Sequence, residues 1–240
     1  MRLHRLFACS SSALAIALCA ASAPLAHADN IAWATWTSET PGNPGTASGN
    51  INGTIGITYN GQFSGYSTGT SWNPTSTFTG GVVGNQPPPY VGIAMEGTTP
   101  GTAVITETIT FSTVVADPIF AVWSLGAGGT PASFDFTSSE PFTVQGGGPS
   151  SEYGGTALYI NGEDVEGSEG NGIIQFNGDF SSITFTTPQY ENYYAFTVGE
   201  DQTLTSQLPS ATPEPGTFSL LGLGLAAVPF ARSRFSRSRY

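Results

Sequence analysis

The sequence contains no lysine, and its six arginines all lie at the ends: Arg2 and Arg5, then Arg232, Arg234, Arg237 and Arg239. Both histidines (His4, His27) and both cysteines (Cys9, Cys19) fall within the first 28 residues. The 184 residues from Asp29 to Thr212 therefore carry sixteen carboxylates and not one Lys, Arg, His or Cys. That excludes an imidazole base, a thiol nucleophile, a Schiff-base lysine, a Cys/His zinc site and a disulfide. It also excludes nucleic acid as a partner, because affinity for a polyanion rests on Lys and Arg contacts to phosphates. Carboxylates, hydroxyls, amides and aromatic rings remain. No nucleophile–base pairing can be built from the motifs present, so the chain reads as a non-enzyme.

The first 28 residues have the form of a secretory signal. Arg2, His4 and Arg5 supply a basic region and Ala13–Ala21 an apolar one. Ala26-His27-Ala28 gives the small-x-small pattern cut before Asp29. Such a leader directs the chain to the secretion translocon, and both cysteines leave with it.

Residues 203–212 are polar and read as a linker. Pro213, Glu214, Pro215 and Gly216 then open a tail over 213–240, followed by the apolar run Phe218–Ala231 and the four arginines. Fourteen residues rise about 21 Å as a helix, against a hydrocarbon core of about 30 Å. That makes a short transmembrane helix, sufficient as a transient handle on the inner membrane. The arginines would act as a cytoplasmic stop. This arrangement closely resembles the PEP-CTERM sorting signal, also catalogued as an ice-binding-protein C-terminal domain. The resemblance implies processing at the tail by the membrane protease exosortase. It implies delivery to the cell surface or extracellular matrix in bacteria that make exopolysaccharide.

Between the two ends, residues 29–202 can bury about 70% of their unfolded surface, enough for one core. Apolar residues alternate: Ile55, Ile57 and Tyr59; Leu158 and Ile160; Ile183 and Phe185; Tyr194, Phe196 and Val198. Ile119–Leu125 is apolar on both faces and reads as a central strand. Asn60-Gly61, Asn161-Gly162 and Asn177-Gly178 read as hairpin turns. Ten to twelve short strands are expected, in a single antiparallel β-sandwich of jelly-roll type. The block Ala116–Gly199 is similar to a sandwich domain of other exported PEP-CTERM proteins, a resemblance that bears on fold rather than activity.

Three features could carry function. Glu163, Asp164, Glu166 and Glu169 put four carboxylates in seven residues with no cation in the body to balance them. Ca²⁺, which takes six to eight oxygens in flexible loops, is the ion such a loop would hold; a solvated acidic loop is the simpler reading. Trp33, Trp36, Trp72, Tyr153 and Tyr193 would suit stacking on sugar rings, although most sandwich aromatics are packing residues. Tyr90 and Tyr190 belong to the same set, whereas Trp123 reads as core. Glu107 interrupts the apolar row Ile105, Ile109, Phe111; buried, it would titrate high.

The reading is an exported structural or adhesive protein of the exopolysaccharide matrix or biofilm. A Ca²⁺-assisted carbohydrate-binding module is the alternative, and a carboxylate-pair glycoside hydrolase using Glu107 is a more distant one.

Overall fold

The computed structural model describes residues 28–66, 69–136 and 141–202. Residues 1–27 of the expected leader, the linker, the sorting motif, the apolar run expected as a short transmembrane helix and the membrane stop lie outside these residues. Among the described residues, no helix is long and apolar enough to cross a membrane.

Among the described residues fifteen strands form, more than the ten to twelve expected. The first five are β1 (Ile31–Thr40), β2 (Gly42–Ile51), β3 (Ile55–Phe63), β4 (Gly65–Tyr66) and β5 (Ile93–Met95). The middle five are β6 (Glu107–Ala116), β7 (Ile119–Leu125), β8 (Ala132–Phe136), β9 (Phe142–Gly147) and β10 (Thr156–Ala157). The last five are β11 (Tyr159–Asn161), β12 (Asp164–Gly167), β13 (Gly170–Phe176), β14 (Asp179–Thr186) and β15 (Tyr194–Asp201).

The all-β, antiparallel expectation holds; the short β10–β13 pair is parallel. The pairing is nearer a flattened barrel than the two separate sheets of a jelly roll. One hydrogen-bonded path runs β10-β13-β7-β15-β1-β2-β3-β6-β14-β8-β12-β11. Strand β1 makes it continuous. Ile31, Ala32 and Trp33 pair with β15, whereas Ala34 onward pairs with β2. A register shift between Trp36 and Ser38 bends the strand just beyond that handover. The two ends of the path, β10 and β11, are consecutive in the chain and separated only by the buried Leu158.

Inside this path lies a core of aromatic rings. Phe120 stacks on Phe196 with centroids 4.9 Å apart and planes 6° off parallel, while Phe134, Phe176 and Phe185 meet Phe120 edge-on. Each such ring removed from water contributes about 1.5–3 kcal/mol. Every residue of β7 is buried, because its second face is covered as well. Ile119, Ala121 and Trp123 pack there against Trp72, Phe78 and Val83 of the segment preceding β5. This second, smaller core explains a run apolar on both faces and fixes where Trp123 sits.

Three local expectations change. Asn161-Gly162 does turn the β11–β12 hairpin, with Gly162 at φ 71°. Asn177-Gly178 connects β13 to β14, which pair with different neighbours, so it is a crossing and not a hairpin. Asn60-Gly61 lies inside β3, paired to β2. The tight β2–β3 turn is made instead by Asn52 and Gly53, both left-handed at φ 54° and 68°. Ile160 is exposed rather than sharing a buried face with Leu158, because Leu158 falls between strands and turns into the core.

Candidate functional site

Glu107 opens β6 opposite Phe185 and is buried at 1% exposure. The hydroxyls of Tyr59 and Thr187 donate to Oε2 and Oε1 of its carboxylate. Burial raises it from 4.5 to about 7, against the lowering effect of Thr187, Tyr59 and a Gln62 backbone bond. The Tyr59 hydroxyl also lies 2.6 Å from the Gln62 carbonyl oxygen. Both protonation states therefore find partners. Ionised, Glu107 accepts from Tyr59; protonated, it can donate to Tyr59, which then turns its own proton to Gln62.

Gly61 is required beside this cluster. A Cβ there would lie 2.5 Å from the Tyr59 hydroxyl and 2.9 Å from Glu107 Oε2. The hydrogen-bond partners of Glu107 are a phenol, an alcohol and a backbone amide, with no second carboxylate among them. The geometry is that of a satisfied core acid sealed from solvent.

The four carboxylates proposed for Ca²⁺ are not brought together. Glu163 stands exposed at the hairpin turn. Asp164 faces Asp135 across the β12–β8 pair and is raised by burial and by that neighbour. Glu166 accepts from the Tyr159 hydroxyl and the Asn161 amide, each at 2.6 Å, and is lowered by both. Glu169 leaves the hairpin entirely, in a left-handed residue (φ 54°) between β12 and β13. Its Oε2 accepts from the Ser124 hydroxyl at 2.5 Å. Among the described residues, no three acidic, His or Cys side chains are placed to share a metal ion. The spacing suggested a chelating loop; a two-residue-period hairpin followed by a sharp turn scatters it.

The aromatic set divides. Trp33, Trp36 and Trp72 do not offer exposed rings and are corrected to core residues. Trp33 donates its indole N–H to the Asn85 carbonyl at 3.2 Å and Trp36 to that of Val91 at 3.0 Å. Trp72 is fully buried, edge-on to Phe78 at 5.3 Å. For Trp33 and Trp72 the reason is the second core, which occupies a sheet face that alternation alone assigns to solvent; Trp36 packs into the main core.

Tyr153 and Tyr193, in contrast, are brought together. Both pack on Trp123, with centroids 5.3 and 5.4 Å away and interplanar angles of 52° and 83°. Tyr153 is 61% exposed and Tyr193 is half-buried. Glu152 fixes the base of this platform. Its Oε2 accepts the Trp123 indole N–H at 3.2 Å, while Oε1 accepts from the Ser71 backbone N–H, also 3.2 Å, and from the Ser71 hydroxyl.

Glu191 lies two residues before Tyr193 in the chain. Burial, then the Glu169 charge, raise it to about 8, offset in part by the Gly126 N–H. Glu191, Tyr190, Asn192 and Thr130 line a shallow cavity of about 230 Å³. Trp123, Glu152 and Glu191 were not singled out by sequence as site residues. Their signal was the direct adjacency of acid and aromatic in Glu152-Tyr153 and Tyr190-Glu191.

Residues 211–234 match the PEP-CTERM protein-sorting motif. The matched span contains Pro213, Glu214, Pro215 and Gly216 together with Arg232 and Arg234; Arg237 and Arg239 lie beyond it. The chain therefore carries an exosortase sorting signal, which implies processing by exosortase and export to the cell envelope or surface. No curated protein and no solved structure matches the chain.

Proposed function

We propose that this protein is a non-enzymatic structural or adhesive component of the cell surface or exopolysaccharide matrix. The sorting signal carries the reading, since it supplies a route to that place. The β body fits the destination. It is thiol-free and presents sixteen carboxylates without one basic side chain from Asp29 to Thr212, which favours solubility outside the cell. Its perturbed core acid Glu107 is sealed and hydrogen-bonded in the manner of a packing residue.

The leader, the body and the membrane handle act in sequence. The translocon exports the chain, the apolar run holds it transiently in the inner membrane, and exosortase acts at the tail. Fractionation of the producing strain into membrane, surface and matrix, beside an exosortase-null derivative, tests this. The protein is expected in the surface or matrix fraction of the parent and in the membrane fraction of the derivative. Identical distribution in both strains would overturn it.

A second reading, as a carbohydrate-binding module, is favoured by the convergence of Tyr153 and Tyr193 on Trp123. The scattered carboxylates support that reading without Ca²⁺. Binding to the strain's own exopolysaccharide that EDTA leaves intact is the expected result.

A further inference from the structure

We propose that the Tyr153–Trp123–Tyr193 platform, together with Glu191 and Glu169, forms a subsite for a glycan bearing free amino groups. This rests on the carbohydrate-binding reading above and names its ligand class.

Tyr153 supplies the open face on which a pyranose ring would stack. Tyr153 holds its ring largely in solvent while its inner side rests on Trp123. Trp123 cannot swing away, because Glu152 holds its indole N–H and Ser71 holds Glu152. A flat ring resting on a fixed indole loses less entropy than a free one when a sugar face covers it.

The choice of an amino sugar comes from charge. Two carboxylates bond to residues at the end of β7, the strand that carries Trp123. Glu169 is tied to Ser124, the residue after Trp123. Glu191 is tied to the Gly126 amide and precedes Tyr193 by two residues. Burial, and then the charge of Glu169, hold a proton on Glu191 near neutrality, and the body offers no Lys, Arg or His to balance that charge. A ligand ammonium would. A uronic-acid polymer would instead bring more negative charge to a surface that already has no cations, and is disfavoured. Asn192, in the neighbouring cavity, adds an amide for sugar hydroxyls.

An acidic protein attracts any polycation, so the test must separate stacking and placed charge from net charge. Isothermal titration of the exported, processed protein would use three probes: a β-1,4-linked glucosamine hexamer, its fully N-acetylated counterpart, and a galacturonate hexamer. The glucosamine hexamer is expected to bind best and the galacturonate hexamer not at all. Tyr153→Ala leaves the net charge unchanged and is expected to weaken the glucosamine hexamer about tenfold. Glu191→Gln is expected to reduce its preference over the acetylated hexamer. Glu166→Gln makes the same substitution in the β11–β12 hairpin and is expected to leave that preference intact.

Tyr153→Phe, which keeps the ring, is expected to retain binding and guards against a folding effect of the alanine variant. Equal losses from Glu191→Gln and Glu166→Gln, or no loss from Tyr153→Ala, would overturn the subsite. Absence of hexamer binding by a protein that still fractionates with the matrix would overturn the subsite and leave the matrix role standing. Hexamer binding by a protein absent from the matrix would uphold the subsite and overturn that role.

Discussion

The phenol of Tyr59 on β3 donates to the carboxylate of Glu107 on β6 inside the main aromatic core. Tyr194 lies close enough to feel the same charge, and its phenol is pushed well above the usual range by burial and then by Glu107. The protein thus carries an acid near neutrality where most folds carry a methyl group.

A pH dependence of stability follows. Glu107 has its folded-state value raised from 4.5 to about 7, so its neutral form is favoured by folding. Its stabilising contribution is fully present below about 4.5 and is lost as pH rises through 7. The difference amounts to about 3 kcal/mol. Urea unfolding at pH 5 and pH 8 should show the wild type weaker at pH 8. Glu107→Gln should remove a substantial part of that difference, with Glu191, raised to about 8, and the mutual repulsion of the other carboxylates accounting for the remainder. An unchanged pH slope in the variant would mean that Glu107 is not the responsible group.

Gly61→Ala should destabilise by about 1–3 kcal/mol, the usual range for overpacking. The new methyl would press on the Tyr59 hydroxyl and Glu107 Oε2. Gly53→Ala, where a Cβ meets nothing, separates this from a pure backbone effect: its cost would come from φ 68° alone. Denaturant midpoints of the two variants at pH 5 make the comparison.

Trp72 and Tyr153 were alike in sequence as candidate sugar platforms, and they should behave oppositely. Trp72→Ala empties a fully buried site in the second core and should cost about 3–5 kcal/mol. Tyr153→Ala, at a residue 61% exposed, should change stability by less than about 0.5 kcal/mol. Thermal unfolding distinguishes them, and a large loss from Tyr153→Ala would mean that its ring is packing rather than presenting.

Removal of divalent ions should leave the fold unchanged. Glu163, Asp164, Glu166 and Glu169 diverge, and Glu166 is already satisfied by Tyr159 and Asn161. Equal melting temperatures with millimolar Ca²⁺ and with EDTA are expected; a rise with Ca²⁺ would show that these carboxylates gather around an ion after all.

The particular residues show what a single sequence makes legible. Period-two alternation in β3, β14 and β15 and the doubly apolar β7 were readable because burial of a strand face is local chemistry. Glu107 stood out for the same reason, as one polar side chain in an apolar row. What alternation cannot show is which outer face is covered later. The Trp72–Phe78 segment covers β7 from outside, and that long-range packing makes Trp33 and Trp72 core residues, while Trp36 packs into the main core. Asn60-Gly61 misled in a related way. Its glycine answers a steric need set by Glu107, 46 positions further on, and not the demand of a turn. Glu191 and Trp123 joined Tyr153 and Tyr193 only through tertiary structure.

The sorting assignment is tested most directly by the intact mass of the protein recovered from outside the cell, in strains with and without exosortase. With exosortase, the expected mass lacks the C-terminal segment bearing Arg232, Arg234, Arg237 and Arg239; without it, those residues are retained. Replacing Pro213, Glu214 and Pro215 with alanine should reproduce the exosortase-null result. The same full-length mass in every strain would contradict processing at this tail, and with it the proposed route to the surface.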